Sequence, residues 1–294
     1  MKKLFLTGLP AAILAVLVAS PTAAWAATSP NLGMAGSFAI LSSTYTNTAP
    51  GTTLNGDLGY TTPPAVAATV NGTIFSPPSS KYSTAGTDQG SALSSLASQA
   101  CTFTFPAGAV DLATDTTHGT VGIYAPGVYC TAASSAASIG AAGITLTGSG
   151  TFIFRVQGAL TTVANSAVRT ASGASACNVF WTPIAATTLG ANSTFVGTDI
   201  DASGITIGDT ITWTGQALAF GGTVSTVRDT ITVGTCAATP SPTAAAPGVP
   251  PTGGASAPGG LSSITIGIVL LISGTLIGST VLVRRRQARP GRMG

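Results

Sequence analysis

The chain has 294 residues and a formal net charge of +3, yet only 6% of its residues are charged. Seven of its eleven basic residues lie at the two ends, so the region between them has four basic residues, eight aspartates and a net charge of −4. Contacts with nucleic acid or anionic lipid need clusters of Lys and Arg, so this composition argues against both as partners. Soluble domains usually carry about 25% charged residues, so small polar and apolar residues must cover this surface.

The N-terminus has the pattern of a signal peptide. Lys2 and Lys3 precede an apolar run over 4–19, and Ala24-Trp25-Ala26 supplies the small residues that a signal peptidase requires. The pattern predicts a signal peptide over 1–26, cleaved after Ala26 or Ala27. An uncleaved membrane anchor is the alternative, but the apolar run is short for a membrane span.

Residues 28–236 are predicted to form one domain of short strands rich in Val, Ile, Thr and Phe. One stretch, 88–100, has Leu93, Leu96 and Ala97 at helical spacing, with Thr87 or Asp88 as the candidate N-cap. The sequence therefore predicts a mostly β domain with a single helix.

The C-terminal half of this domain repeats. Similar lines begin at Thr151, Asn178, Thr198 and Gln216, and each contains three short strand-like segments separated by small residues. This periodicity is typical of a β-solenoid of triangular cross-section, in which each coil buries its inward side chains against its neighbours.

The three strand positions of the repeat differ in chemistry. The first is apolar on both alternations, so we expect the helix to cover its outer side. The second is predicted to point the hydroxyl side chains of Thr161, Thr188, Thr206, Thr223 and Ser225 outward, opposite buried Leu160, Leu189, Ile207 and Val224. The third is predicted to point Thr194, Thr212 and Thr232 outward, opposite Phe195, Ile211 and Ile231.

Four cysteines in an exported domain predict two disulfides. Three pairings are possible, and we favour Cys101–Cys130 with Cys177–Cys236, since the second would tie the last coil to an earlier one. The chain has no Cys-x-x-Cys pair, so a zinc site is not expected.

Few residues suggest catalysis or metal binding. His118 is the single histidine and has no nucleophile elbow near it, so we expect it on a loop surface. Asp199, Asp201 and Asp209 could bind Ca²⁺ or act as paired carboxylates, but capping or solvent exposure is favoured. We expect no catalytic residue, no metal and no cofactor, and therefore not an enzyme.

The C-terminal sequence has the pattern of a cell-surface anchoring signal. Residues 237–260 form a stalk of Pro, Ala, Gly, Thr and Ser, and Val249-Pro250-Pro251-Thr252-Gly253 resembles the sortase sorting signal of Gram-positive bacteria. The segment 261–294 follows, with an uncharged span at 264–283 and then an arginine cluster. The resemblance implies cleavage between Thr252 and Gly253 by a sortase and attachment to the cell wall. A transmembrane helix anchored in the plasma membrane is the alternative; in either case the domain lies outside the cell.

Several segments of the domain match a known family in order and spacing: Leu32-Gly33-Met34-Ala35-Gly36-Ser37-Phe38-Ala39-Ile40-Leu41, Thr44-Tyr45-Thr46-Asn47-Thr48, Gly56-Asp57-Leu58-Gly59, Pro126-Gly127-Val128-Tyr129, Phe152-Ile153-Phe154-Arg155, Asn178-Val179-Phe180-Trp181 and Gly215-Gln216-Ala217-Leu218-Ala219. Through these segments the domain resembles the ice-binding proteins of bacteria, fungi and algae over about 31–233. The resemblance implies a discontinuous right-handed β-solenoid with one helix along its side, ice as the partner, and a monomer. The family commonly has Arg where Gln216 stands and an apolar segment where Asp199 and Asp201 lie.

Outward threonines on stacked coils would form a regular grid, with rows about 4.8 Å apart and alternate side chains about 6.6 Å apart along a strand. The resemblance implies that such a grid adsorbs to ice, with the second strand position as the expected face and the third as the alternative. High-activity relatives carry Thr-Ala/Gly-x-Thr/Asn repeats; Thr84-Ala85-Gly86-Thr87 is a match, but we place it in the loop before the helix. Thr is also simply a good strand former, so a cell-surface adhesin or structural protein without ice binding is the alternative function.

Overall fold

The computed structural model describes residues 26–235. Cys236, the predicted stalk, the sorting motif with Thr252 and Gly253, the predicted span and nearly all of the predicted signal peptide lie outside the described residues. Within 26–235, no helix is long and apolar enough to cross a membrane.

The chain forms short strands, one α-helix and two 3₁₀ helices, Gly33–Ser37 and Ala176–Asn178. The N-terminal strands are β1 (Phe38–Asn47), β2 (Thr53–Asn55), β3 (Asp57–Gly59), β4 (Thr69–Val70) and β5 (Ile74–Phe75), followed by helix α1 (Ser80–Ser98). The next are β6 (Phe103–Thr104), β7 (Val110–Asp111), β8 (Ile123–Tyr124), β9 (Gly127–Cys130), β10 (Ala137–Ile139), β11 (Ile144–Thr147), β12 (Phe152–Val156), β13 (Leu160–Thr162) and β14 (Val168–Ala171). The last are β15 (Val179–Pro183), β16 (Thr187–Leu189), β17 (Thr194–Ile200), β18 (Ile205–Ile207), β19 (Thr212–Thr226) and β20 (Thr230–Thr232).

Parallel pairing arranges these strands into three ladders, which we name faces A, B and C. Face A runs β6-β9-β12-β15-β17-β19-β1-β3-β5, and face B runs β7-β10-β13-β16-β18-β19-β1. Face C consists of β8-β11-β14 and of β17-β19-β20-β2-β4. The three strand positions of the repeat therefore correspond to faces A, B and C. The mostly β, parallel architecture with one helix agrees with the prediction.

The coils do not stack in chain order. Strand β1, near the N-terminus, pairs with β19, near the C-terminus, from Ile40↔Ala217 to Asn47↔Thr226. On face C the same junction continues as the pairing of β2 with β20. We call this junction the seam. It makes the solenoid discontinuous: the chain starts in the middle, proceeds to one end, and after helix α1 resumes at the other end.

The strands turn the corner from face C to face A without interruption at glycine. Gly197 and Gly215 are paired there, with φ of +108° and +152°. A Cβ atom on Gly215 would collide with the carbonyl oxygen of Gly197. Only glycine allows this backbone conformation together with such close stacking, so β17 and β19 each continue from face C onto face A.

Two hydrophobic cores hold the fold together. The solenoid interior contains a stack of rings in which Phe154 lies 5.3 Å from Tyr129 and 4.2 Å from Trp181. The second core lies between face A and helix α1, where Ile153, Phe180 and Leu218 are buried. Each such side chain contributes roughly 1.5–3 kcal/mol by burial. Face A is therefore apolar on both sides, as its sequence predicts.

Helix α1 begins at Ser80, eight residues before the predicted start at Asp88. The reason is Gly86, where a Cβ atom would lie 2.5 Å from the ring of Phe220, so a glycine interrupts the apolar spacing to allow this contact. The Thr84-Ala85-Gly86-Thr87 motif is consequently helical. Neither predicted N-cap is used; Asp88 instead accepts a 2.7 Å hydrogen bond from the Met34 N–H.

The structure contains the disulfide Cys101–Cys130, one of the two predicted pairs. It joins the segment after helix α1 to strand β9 on face A. Cys177 is also disulfide-bonded; its predicted partner, Cys236, lies outside the described residues.

Candidate functional site

Face B carries one long outward column of hydroxyl side chains. The predicted residues Thr161, Thr188, Thr206 and Ser225 lie in register on adjacent strands. Ser138 and Thr46 extend the column at its two ends. Thr223 points outward as predicted, but it pairs with Thr44 and belongs to a neighbouring column.

The positions beside this column contribute little to a grid. The residues two before Thr161, Thr188 and Thr206 in the sequence are Ala159, Ala186 and Gly204, none of which has a hydroxyl group. At the seam the hydroxyls of Thr46 and Ser225 hydrogen-bond each other at 2.7 Å. Apart from the pair Thr223 and Thr44 at the seam, face B therefore presents one line of hydroxyls rather than an extended two-dimensional array.

Face C carries two aligned columns across the seam. The first column is Thr194, Thr212, Thr230, Thr53 and Thr69. The second column, two residues further along each strand, is Val196, Thr214, Thr232, Asn55 and Asn71. We call these ten positions the face C lattice. Parallel pairing places its rows about 4.8 Å apart, and the two columns are about 6.6 Å apart.

The predicted alternative face contained three of these residues, which lie in two different columns of the lattice. Thr194 and Thr212 share the first column, but Thr230 follows them there, and Thr232 lies in the second column beside Thr214. The prediction missed Thr53, Asn55, Thr69, Asn71, Thr214 and Thr230. The triplets Thr-x-Thr and Thr-x-Asn, which occur at 53–55, 69–71, 212–214 and 230–232, would have marked them.

A rigid layer lies directly beneath the lattice. Between its two columns the strands point Phe195, Trp213, Ile231 and Leu54 inward, and all four are at most 1% exposed. The Trp213 indole N–H donates to the carbonyl oxygen of Gly197 at 2.8 Å. Because interiors pack densely, this layer holds the strands that carry the outward threonines in fixed positions.

The lattice itself is uncharged, and the nearest charges lie at its borders. Arg228, two residues before Thr230, forms an ion pair with Asp209. The hydrogen bond from Arg228 keeps the pKa of Asp209 below its usual value. On the other side, Ala167 forms a bridge to Thr194, and Arg169 follows two residues later. These charges limit the uncharged area without entering it.

The three aspartates considered for calcium do not come together. Asp209 is on the surface with Arg228, whereas Asp199 and Asp201 are buried. Asp201 accepts hydrogen bonds from the backbone N–H groups of Thr187, at 2.8 Å, and Ser203, at 2.7 Å, which is a capping role. Burial raises the pKa of the Asp199 carboxyl well above its usual value. Among the described residues no group of three acidic, His or Cys side chains could hold a metal ion.

His118 is not on the surface, so the prediction for it was wrong. Its side chain is 2% exposed, and Nδ1 lies 2.6 Å from Asp115 Oδ2. The imidazole stacks on Tyr124 with ring centroids 4.0 Å apart. It is buried because its loop folds over the aromatic end of the solenoid interior, where it closes the core.

Comparisons with known proteins agree with this geometry. Residues 33–232 match a protein-family model described as ice-binding-like. A crystal structure of an ice-binding protein from the Antarctic ascomycete Antarctomyces psychrotrophicus is similar, with 25% identity, a TM-score of 0.60, and coverage of 70% of this chain and 98% of that one. An ice-binding protein from an Antarctic biological consortium gives 25% identity and a TM-score of 0.61, covering 70% of this chain and 92% of that one.

The DUF3494 domain of Shewanella frigidimarina ice-binding protein_1 also has this fold, with 22% identity, a TM-score of 0.61, and coverage of 72% of this chain and 100% of that one. No curated protein matches the chain.

Proposed function

Since this chain belongs to the ice-binding-like family, we propose that it binds ice and that the face C lattice is the surface that does so. The observation that carries this proposal is the register of ten positions in two columns on five adjacent strands. Nine of them carry Thr or Asn and are exposed or half-buried, and the tenth, Val196, is buried at the edge of the lattice. We propose a binding role for the domain, as a monomer, and no catalytic one.

The chemistry of threonine suits such a surface. Its branched side chain is stiff about χ1 in a strand, so the grid does not need to be ordered on binding. Each methyl group leaves water without a hydrogen-bonding partner over part of the face, while each hydroxyl anchors a water molecule. Water held at these regular spacings can merge with a growing ice lattice. Charged side chains would instead hold water around mobile groups, and the lattice has none.

Face C is favoured over face B for a geometric reason. Recognition of a crystal plane requires a repeat in two directions, and face C repeats both along its columns and along its strands. Face B repeats along its column only, because Ala and Gly occupy the neighbouring positions on all but the two seam strands. We therefore assign ice binding to the alternative of the two faces that the sequence suggested.

Thermal hysteresis and ice-crystal shaping by the purified protein test the proposal. Thr230→Tyr places a bulky ring at the centre of the lattice and should remove nearly all of the activity, since the ice surface can no longer approach the neighbouring threonines. Thr188→Tyr, at the centre of the face B column, is the matched control and should retain activity. If the unmodified protein neither shapes ice nor shows hysteresis, ice binding is wrong, and screening for glycan or protein ligands would test the adhesin alternative.

We also propose that the domain is displayed at the cell surface. Support comes from the N-terminal signal pattern and from the order of Val249-Pro250-Pro251-Thr252-Gly253, the uncharged span and the arginine cluster. An anchored protein of this kind would attach a cell to ice or shape ice close to it. Mass spectrometry of wall fragments should find Thr252 as the C-terminal residue joined to peptidoglycan, and Thr252→Ala should abolish that linkage. Recovery of the intact C-terminus in membranes would instead favour a membrane anchor.

A further inference from the structure

Three side chains in the second column of the face C lattice form a hydrogen-bonded relay. The Asn71 Nδ2 amide donates to Asn55 Oδ1 at 2.7 Å, and the Asn55 Nδ2 amide donates to Thr232 Oγ1 at 2.9 Å. By contrast, in the part of the chain that the structure describes, the threonines of the first column make no side-chain hydrogen bonds. Asn55 is the member of the relay that both accepts and donates.

The relay crosses the seam. Thr232 lies in β20, the last strand of the C-terminal coils, whereas Asn55 and Asn71 belong to the N-terminal coils. The backbone is joined at the same point, where the Val233 N–H donates to the carbonyl oxygen of Asn55 at 3.0 Å. The lattice is continuous only if its two chain segments keep a constant spacing here, and the relay links their side chains directly.

The relay also sets the direction of a hydroxyl group. Because Thr232 Oγ1 accepts a hydrogen bond from Asn55, its own proton remains available for donation outward to water. A hydroxyl without such a partner rotates among several orientations. The relay therefore fixes the rotamers of three adjacent lattice positions before any ligand binds. It also fixes the direction in which the Thr232 hydroxyl donates its proton.

We propose that Asn55 is a positioning residue for ice binding, which presets the second column across the seam through its bonds to Thr232 and Asn71. This inference rests on the proposed function of the face C lattice. A preset side chain loses less conformational freedom on adsorption than a mobile one. Loss of Asn55 should therefore weaken ice binding more than loss of a lattice side chain outside the relay.

Two matched pairs of variants in the full chain test this role, with thermal hysteresis as the readout. Asn55→Ser removes both relay bonds, whereas Asn71→Ser removes one. Thr232→Val keeps the shape of threonine but removes the acceptor, and Thr214→Val makes the same change one strand away, outside the relay. We expect losses of roughly tenfold for Asn55→Ser and threefold for Thr232→Val and Asn71→Ser, and less than about twofold for Thr214→Val.

A double variant separates positioning from general weakening. Because the relay acts through Asn55, Asn55→Ser combined with Thr232→Val should lose no more activity than Asn55→Ser alone. Melting temperatures serve as the structural control, with all assays run far below them. The conservative variant Thr232→Ser keeps the acceptor hydroxyl, so it should retain most of the activity that Thr232→Val loses. Equal losses for Thr232→Val and Thr214→Val, with Asn55→Ser as active as the unmodified protein, would overturn the role. An inactive unmodified protein would instead refute the proposed function.

Discussion

Faces B and C are built by the same coils and share the same strand spacing, yet only one of them forms a two-dimensional array. On face B the strands β13, β16 and β18 each contribute one outward hydroxyl, flanked by Ala159, Ala186 and Gly204, and only the two seam strands β19 and β1 contribute a second one. On face C the central strands carry Thr-x-Thr or Thr-x-Asn, so two outward positions are filled on each. The difference shows that stacking of solenoid coils does not by itself produce a two-dimensional lattice. The side chains at every second residue of each strand determine whether a lattice forms.

The two faces also differ in their dependence on the seam. The face B column lies mainly on the C-terminal coils, and Thr46 alone extends it across the seam. The face C lattice takes two of its five strands, β2 and β4, from the N-terminal coils. Its activity should consequently depend on side chains that are far apart in the sequence.

The sharpest test of this comparison uses two threonines from one coil. Thr53 in β2 faces the lattice, and Thr46 in β1 faces the column of face B; both are half-buried. Thr53→Tyr should remove nearly all thermal hysteresis, because the ring projects from the first column between Thr230 and Thr69. Thr46→Tyr should leave most of it. If both variants lose activity equally while remaining folded, the assignment to face C is wrong.

Removal of the Cys101–Cys130 disulfide should lower the stability strongly without changing the difference in ice binding between faces B and C. The Cys101–Cys130 disulfide closes a loop with a sequence separation of 29 and lies on face A, outside both ladders of hydroxyls. Its removal by Cys101→Ser with Cys130→Ser should lower the free energy of unfolding by about 3–4 kcal/mol. Hysteresis near the freezing point should remain unchanged as long as the variant is folded, which thermal and chemical denaturation would verify. A parallel loss of activity would indicate that ice binding follows general stability rather than one face.

A smaller effect on stability, which concerns faces B and C together, should come from the ionisation of Asp229. Asp229 lies under the corner between them and accepts 2.8 Å hydrogen bonds from the N–H groups of Ile211 and Val227. Burial raises its pKa to about 6 despite these bonds. The folded protein thus binds this proton more tightly than the unfolded chain, whose Asp pKa is about 3.9. The stabilisation is complete below about pH 4 and is lost as the pH rises through 6.

The loss of stability from Asp229 should be roughly 2 kcal/mol between pH 4 and 7, reduced from the full shift by partial access of solvent. Asp229→Asn removes the ionisation and should flatten the fall in melting temperature over this range. Other carboxyl groups titrate too, so the difference between the two proteins is the relevant quantity. If the melting temperatures of the two proteins had identical pH profiles, folding would not raise the pKa of Asp229.

In the C-terminal repeat the sequence predicts the strands well, but it does not predict how the coils meet. Alternation with a period of two correctly assigns Thr161, Thr188 and Thr206 to one outer ladder, because that pattern depends only on neighbouring residues. Thr53 and Thr69, which continue the column of Thr212 and Thr230 across the seam, follow from the discontinuous stacking order, which no local pattern contains. The sequence does not predict the first turns of helix α1 for a related reason. Gly86 interrupts the apolar spacing there, and its contact is with the distant Phe220. Long-range contacts therefore set what sequence reasoning missed.

The smallest effect should be a gain, and it tests where the lattice ends. Arg169 pairs with Thr145 on β11 and lies two residues after Ala167, which bridges Thr194. It is thus the first charge beyond the lattice on that side. Arg169→Thr would continue the second column by one strand and remove a strongly hydrated group. We expect hysteresis to rise by about twofold, equivalent to about 0.4 kcal/mol. Arg169→Gln removes the charge without adding a branched hydroxyl side chain and should give a smaller gain. If the two variants give the same gain, the charge alone limits the surface. If neither variant gives a gain, the lattice ends at Val196 because of the shape of the backbone.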